Sequence, residues 1–282
     1  MNIDTHLIRR YLNDDNFTEP SQVTEAKKTR ADEMILQDKD PYYRVVDLSR
    51  NTFNDNTIGA WHKNVGGYHA AKLRRYQDLI DRHLNNELNA AYSAIVSAGG
   101  DMRRVAGDSI FPVLNMLNTK YFICPSQDGQ GLPVLNPYAN GCAWFVDRVQ
   151  YVNTADDEMA ALGKLNLKHE AVADVKFRTA IGEANPTDGC SVALTKYAPN
   201  EMHYEVSSPQ GGVIVFSEIY YPGWTAMLDG NAVEVGRADY TLRAVHVPAG
   251  KHTLVMEFRP TSITVTETIA YVAIALVLLG FV

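Results

Sequence analysis

Eight histidines, three cysteines and 33 acidic residues are spread along this 282-residue chain, and their spacings decide what chemistry it could perform. His62 and His69 stand seven apart on an expected loop, and His203 and Glu205 two apart on an expected strand. Neither pair has further ligands at metal-binding spacing, so they read as isolated histidines and no metal site is expected. There is no GxSxG, no CxxC and no cysteine near a histidine in a nucleophile pattern. The run from Gly66 to Lys72, GGYHAAK, lacks the glycine spacing of either standard phosphate loop. The densest acidic run, Asp156-Asp157-Glu158, follows Thr154 and reads as the first turn of a capped helix. No catalytic residue, cofactor or metal is therefore expected. Cys124, Cys142 and Cys190 are too few for a disulfide scaffold; a Cys124–Cys142 bridge and free buried thiols both stay open.

One stretch combines cations with aromatic rings. Trp61, His62, Lys63, Tyr68 and His69 lead into a helix whose first turns carry Lys72, Arg74 and Arg75. Positive charges there oppose the helix dipole, so they are not placed for helix stability. The group would suit a sugar phosphate or a lipid headgroup. The alternative is a glycine-rich turn running into a solvated basic face, with Asp78 and Asp81 neutralising it one turn on.

The elements that must position these residues can be read from periodicity. Thr29 with Asp32 and Glu33 opens a short helix, and Tyr42–Leu48 is dense enough in aromatic and β-branched residues for a strand. Residues 51–67 form a loop. Leu73, Tyr76, Ile80, Leu84, Leu88, Ala91 and Ile95 recur at steps of three and four, the stripe of a core-covering helix that Gly99-Gly100 stops. A helical piece over 111–118, a strand over 120–124, a strand over 143–152 and the helix capped by Thr154 follow. From Ala171 the signal is β: strands near 213–219, 224–228, 240–247 and 251–258, with a tight hairpin turn at Asp229-Gly230.

Composition excludes other classes. Hydrophobic residues make up 46% and charged residues 21%, as in folded globular chains. A net charge of -7 without basic blocks argues against nucleic acid. No signal peptide opens the chain, whereas Ile269–Val282 is free of charge and apolar on every face. That segment is expected to be the start of a transmembrane helix, cut short, with earlier membrane spans preceding the chain.

Several long runs resemble the C-terminal extracytoplasmic region of YfhO-like bacterial membrane proteins, those of Bacteroidetes in particular. They are NTFNDNTIGAWHKNVGGYHAAKLRRYQDLID from Asn51, VLNMLNTKYFI from Val113, NPYANGCAWFV from Asn136, VFSEIYYPGWTAMLDG from Val215 and RADYTLRAVHVPAGKH from Arg237. The resemblance runs from about Glu25 to the end. It implies a polytopic protein similar to the GT-C type of glycosyltransferase, moving sugar from a polyprenyl-phosphate carrier onto a cell-envelope glycan. It implies an inner-membrane location, with this region on the periplasmic side. The implied partners are a membrane lipid or polyprenyl-phosphate sugar, an envelope glycan and the transmembrane part of the same chain. Where relatives carry Asn this chain has Cys142, which weakens a structural disulfide. The catalytic acid of such enzymes lies between early transmembrane helices, so no catalytic residue transfers to this sequence.

The expected fold is α+β: a connector and short helix over 1–40, a mixed region over 41–141, a jelly-roll-like β-sandwich over 142–260 and a truncated transmembrane helix over 261–282. The expected function is a non-catalytic ectodomain of a glycosyltransferase-like protein. The rival is a membrane-anchored carbohydrate-binding or envelope-scaffolding module.

Overall fold

A computed structural model describes residues 27–280; most of the expected N-terminal connector lies outside the described residues. Helix α1, Arg30–Ile35, starts at Thr29 with a reciprocal capping box to Asp32. Strand β1, Arg44–Asp47, pairs in parallel with β2, Thr119–Cys124, which pairs in antiparallel with β3, Leu132–Leu135. Between β1 and β2 lies the long helix: α2 over Arg74–Leu79, a π turn over Ile80–Leu84, and α3 over Asn85–Ser97. Two short helices follow, α4 over Gly107–Ile110 and α5 over Pro112–Met116.

The expected strand over 143–152 is two strands. Strand β4, Ala143–Val146, joins an antiparallel sheet, whereas β5, Arg148–Val152, pairs in parallel with β6, Glu170–Asp174. The chain changes sheets at Asp147, which a single alternating pattern does not reveal. Helix α6, Ala155–Leu162, is capped by Thr154 as expected, and α7, Arg178–Ile181, follows β6.

The rest is sandwich. Strands β7 (Ser191–Ala198), β8 (Glu201–Ser208), β9 (Gly212–Ile219), β10 (Trp224–Leu228), β11 (Asn231–Val233), β12 (Gly236–Ala238), β13 (Leu242–Val247) and β14 (Gly250–Phe258) form two sheets. The outer sheet has the order β11-β10-β14-β8-β7, the inner sheet β12-β13-β9-β4. Ile214, Phe216, Val245 and Val247 of the inner sheet pack against Met202, Tyr204, Leu254 and Met256 of the outer. The opposite face of the inner sheet, with Trp144, Val213, Val215 and Ala244, packs in one cluster with Leu79, Ile80, Leu84 and Ile95 of the long helix. The inner sheet is thus covered on both sides. Its strands therefore read as continuous apolar runs, which is why β9 alternates poorly.

Helix α8, Thr261–Gly280, follows β14 directly. It is long and apolar enough to cross a membrane, and none of its described side chains is buried. The three cysteines are free thiols, with no Cys124–Cys142 bridge.

Candidate functional site

The loop before α2 is folded tightly on itself. Tyr68 N donates to Asn56 Oδ1 at 2.7 Å and Gly67 N donates to Thr52 O at 2.7 Å. A Cβ at position 66 would lie 1.9 Å from Thr52 O, so the approach of the two backbones requires Gly66. The Tyr76 hydroxyl of α2 donates to Val65 O at 2.5 Å and ties loop to helix.

The eight sequence-derived residues separate into groups. His62 is buried and its Nε2 lies 2.9 Å from Asp32 Oδ1 of α1. Burial lowers the His62 pKa, with Asp32 pulling the other way. Lys28 Nζ lies 4.7 Å from the Trp61 ring. Lys63 Nζ lies 4.2 Å from the Tyr197 ring, and burial lowers its pKa. Trp61, His62 and Lys63 thus serve packing between α1, the loop and β7. Tyr68 is 64% exposed.

The remaining four line two clefts that share Leu73, Tyr76 and Ile219 as a common wall. His69 and Lys72 border the first, of about 330 Å³, whose wall includes the buried Arg44. Arg74 and Arg75 border the second, of about 320 Å³, with Tyr220, Tyr221, Pro222, Arg237 and Thr241. Adjacent in sequence, the two arginines behave differently. Arg74 is 87% exposed at its side chain and its Nε contacts Asp78 Oδ1 at 2.9 Å, one turn on. Arg75 turns inward: Nη1 lies 3.4 Å from Glu158 Oε2 and donates to Tyr240 O at 3.3 Å, with the guanidinium 4.4 Å from the Tyr240 ring centre.

Glu158 anchors a buried network that sequence reading missed. It is fully buried at the start of α6. It accepts from Arg237 Nη2 at 3.0 Å and from the backbone N–H of Tyr240 at 3.1 Å. Beside it Asp239 is also fully buried; Oδ1 accepts from Val172 N at 2.9 Å. Burial, reinforced by the charge of Glu158, pushes the Asp239 carboxyl up to about 8. Asp239 and Tyr240 form the turn between β12 and β13 with φ of 47° and 65°. Tyr240, expected to begin a strand, is in the turn because Glu158 and Asp78 hold it there; its hydroxyl donates to Asp78 Oδ2 at 3.1 Å. Acidic residues opening a helix gave no hint that one faces inward; only the run Arg237-Ala238-Asp239-Tyr240 carried any signal.

The second cleft lies beside the approach to α8. Tyr220 and Tyr221 wall it, and the Tyr221 ring lies 6.2 Å from that of Phe258, the last residue of β14. Arg259 N donates to Gly223 O at 2.8 Å. Gly223 has φ of +104°, and a Cβ there would lie 2.9 Å from Pro260 Cβ. The Trp224 ring sits 5.4 Å from Phe258 and 3.6 Å from the Arg243 guanidinium. Aromatic rings and cations at the mouth of an apolar helix have the character of a membrane–water interface.

Residues 160–270 match the family model described as bacterial membrane protein YfhO. That stretch runs from α6 into α8 and takes in the β12–β13 turn and the Tyr220-Tyr221 loop, but not residues 61–75. No curated protein and no solved structure matches the chain.

Proposed function

We propose that this chain, a YfhO-like membrane protein, forms the extracytoplasmic domain of a polytopic glycosyltransferase. That enzyme takes sugar from a polyprenyl-phosphate carrier and adds it to a cell-envelope glycan at the bacterial inner membrane. The domain is non-catalytic and shapes the approach of donor or acceptor to an active site among membrane spans elsewhere in the protein. The observation that carries this reading is the position of the cationic, aromatic-walled second cleft next to the residues that lead into α8. Lys72, Arg74 and Arg75 supply positive charge along the paired clefts, with His69 beside them, its Nδ1 accepting from Ala71 N; Trp61, His62, Lys63 and the backbone of Tyr68 brace the loop that carries them.

The reading is tested with the full-length protein in proteoliposomes, given a labelled polyprenyl-phosphate sugar and envelope glycan. Transfer is expected with the full-length protein and not with residues 1–282 alone. Arg74→Ala combined with Arg75→Ala should weaken binding of a polyprenyl-phosphate analogue. Ala275→Arg, at the expected cost of about 2.5–3.5 kcal/mol for a mid-helix charge, should impair insertion. Absence of transfer by the full-length protein would sink the enzyme reading. A carbohydrate-binding or scaffolding module then takes its place, and one observation favours it: a polar groove of about 580 Å³ crosses the outer sheet, bordered by Glu205, Ser207, Lys251 and His252. Retention of envelope glycan by the chain, lost on Glu205→Ala, would identify that second function.

A further inference from the structure

Two residues that line the second cleft, Arg237 and Thr241, each carry just behind its wall a buried polar atom without a protein partner, Nε and Oγ1. Both residues are almost completely buried. A buried donor without an acceptor is costly, and such groups in a cleft wall point to a partner from outside the chain. The charge balance points the same way. Arg75 and Arg237 both rest on a single oxygen, Oε2 of Glu158. The next carboxylate, Asp174, is 4.0 Å from Arg237 and is already held by Lys176 at 3.1 Å. Burial, with Glu158 beside it, pushes the Asp239 carboxyl up to about 8, which disfavours its charged form as a further counter-ion. The floor of the cleft thus carries one guanidinium more than its carboxylates balance.

We propose that the second cleft binds the phosphate-ester headgroup of an anionic bilayer lipid, with Arg237, Thr241 and Arg75 contacting the phosphate and Tyr220 and Tyr221 covering the glycerol. Guanidinium groups suit phosphate because their planar N–H donors match its oxygens. Thr241 is fixed beneath the covering loop, since its carbonyl accepts from Tyr220 N at 2.7 Å. The cleft's size lies at the small end of ligand sites, fitting a headgroup rather than a whole lipid. The loop bonded to the approach to α8 supplies the reason for a lipid rather than a soluble anion: the ligand enters from the bilayer surface. This site rests on the membrane-facing placement proposed above, but not on sugar transfer.

The test uses the 282-residue chain in uncharged detergent, titrated calorimetrically with dihexanoyl phosphatidic acid, and in parallel with inorganic phosphate and dihexanoylglycerol. The phosphatidic acid should bind, and the other two at least tenfold more weakly. Arg237→Gln should weaken binding at least tenfold. Because that variant disturbs Glu158 and could misfold, Thr241→Val decides. It removes a hydroxyl that bonds to nothing in the protein, so the melting temperature should hold or rise while binding loosens at least threefold. Wild-type affinity in folded Thr241→Val overturns the proposal. So does inorganic phosphate binding as tightly as the lipid, which would make this a soluble-anion site, and so does dihexanoylglycerol binding as tightly, which would leave only an apolar contact. Sugar transfer that fails while lipid binding stands removes the transferase reading alone; lipid binding that fails while transfer stands removes this one alone.

Discussion

The β10–β11 and β12–β13 hairpins of the sandwich both turn through two consecutive residues with positive φ. In the first these are Asp229 and Gly230, at 49° and 83°; in the second, Asp239 and Tyr240, at 47° and 65°. The first turn has residues suited to it and is braced only by the adjoining strand β14. Asp229 is half-exposed, accepts from Thr253 N at 2.8 Å and meets His252 Nδ1 at 2.6 Å, and a Cβ on Gly230 would touch nothing. The second has no glycine. A residue bearing a Cβ in the left-handed region costs about 1–2 kcal/mol, and here the cost falls on a tyrosine. Contacts from distant segments hold it in place: Glu158 on the Tyr240 N–H, Asp78 on its hydroxyl, Arg75 against its ring, and Val172 on both backbone and side chain of Asp239. The first conformation is one that Asp229-Gly230 favours by itself. The second is imposed by the rest of the fold, beside the cleft, where strain is commonly kept for function.

The contrast can be broken most forcefully at Glu158. Glu158→Ala should cost about 3–5 kcal/mol, since it leaves Arg237 buried without its charge partner and frees the Tyr240 N–H. Chemical denaturation would measure the loss. An effect as small as that of a surface change would mean that the β12–β13 turn is as self-sufficient as the other. Next in size is the pH dependence that the second hairpin carries through Asp239. The Asp239 carboxyl stands at about 8 in the fold against an ordinary 3.8. Between those values the folded state holds a proton that the unfolded chain has released. The stability this provides is complete below about pH 4 and is lost as pH rises toward 8, at about 1 kcal/mol per pH unit. Glu87, buried and also raised to about 8, acts in the same direction. Asp239→Asn should remove its own share of the slope between pH 5 and 8 and leave that of Glu87. An unchanged slope in melting experiments would show that Asp239 is ionised in the fold.

The same division separates what the sequence made legible from what it did not. Features fixed within a few residues were readable: the Thr29 and Thr154 caps, the Asp229-Gly230 turn, the Arg74–Asp78 pair one turn apart and the apolar helix α8. The core stripe of the long helix is also legible, but its π turn is not. Tyr76, Ile80, Leu84 and Leu88 follow one another at steps of four, and each such step drifts about 40° on a regular helix. The wider turn over Ile80–Leu84 takes up that drift and keeps Ile80 and Leu84 buried. Other features were illegible because their partners are far away in sequence. Nothing near Arg75 announces Glu158, 83 residues on, and nothing near His62 announces Asp32, 30 residues back. Proximity along the chain therefore groups the eight cationic and aromatic residues of positions 61–75, whereas the fold sends three of them toward α1 and β7 and four into the clefts.

Gly230→Val sharpens the comparison from the other side. With open space around position 230, the only penalty is backbone strain, so the loss should be about 1–2 kcal/mol in urea denaturation. Tyr240→Gly is its counterpart. It relieves the same strain but removes the contacts to Asp78 and Arg75, so it should destabilise despite the relief. A stabilised Tyr240→Gly would mean that the tertiary contacts do not hold the turn.

The smallest effect belongs to the exposed pair in the first hairpin. The hydrogen bond from His252 to Asp229 raises the imidazole pKa above 6.5. A histidine whose pKa is raised on folding contributes stability that is complete below its unfolded value and fades as pH rises through the folded one. Both hairpins should therefore weaken as pH rises, for unlike reasons. In the first an ion pair in water is lost; in the second a carboxyl is ionised where no water reaches it. Salt separates the two. Raising ionic strength shortens the range of charge interactions at the surface and scarcely alters those in the interior. Following the His252 ring by NMR, Asp229→Asn should bring its pKa back toward 6.5, and high salt should do part of the same. The pH slope carried by Asp239 should be unmoved by that salt. If instead high salt flattens the Asp239 slope and leaves His252 untouched, the buried and exposed turns have been assigned the wrong way round.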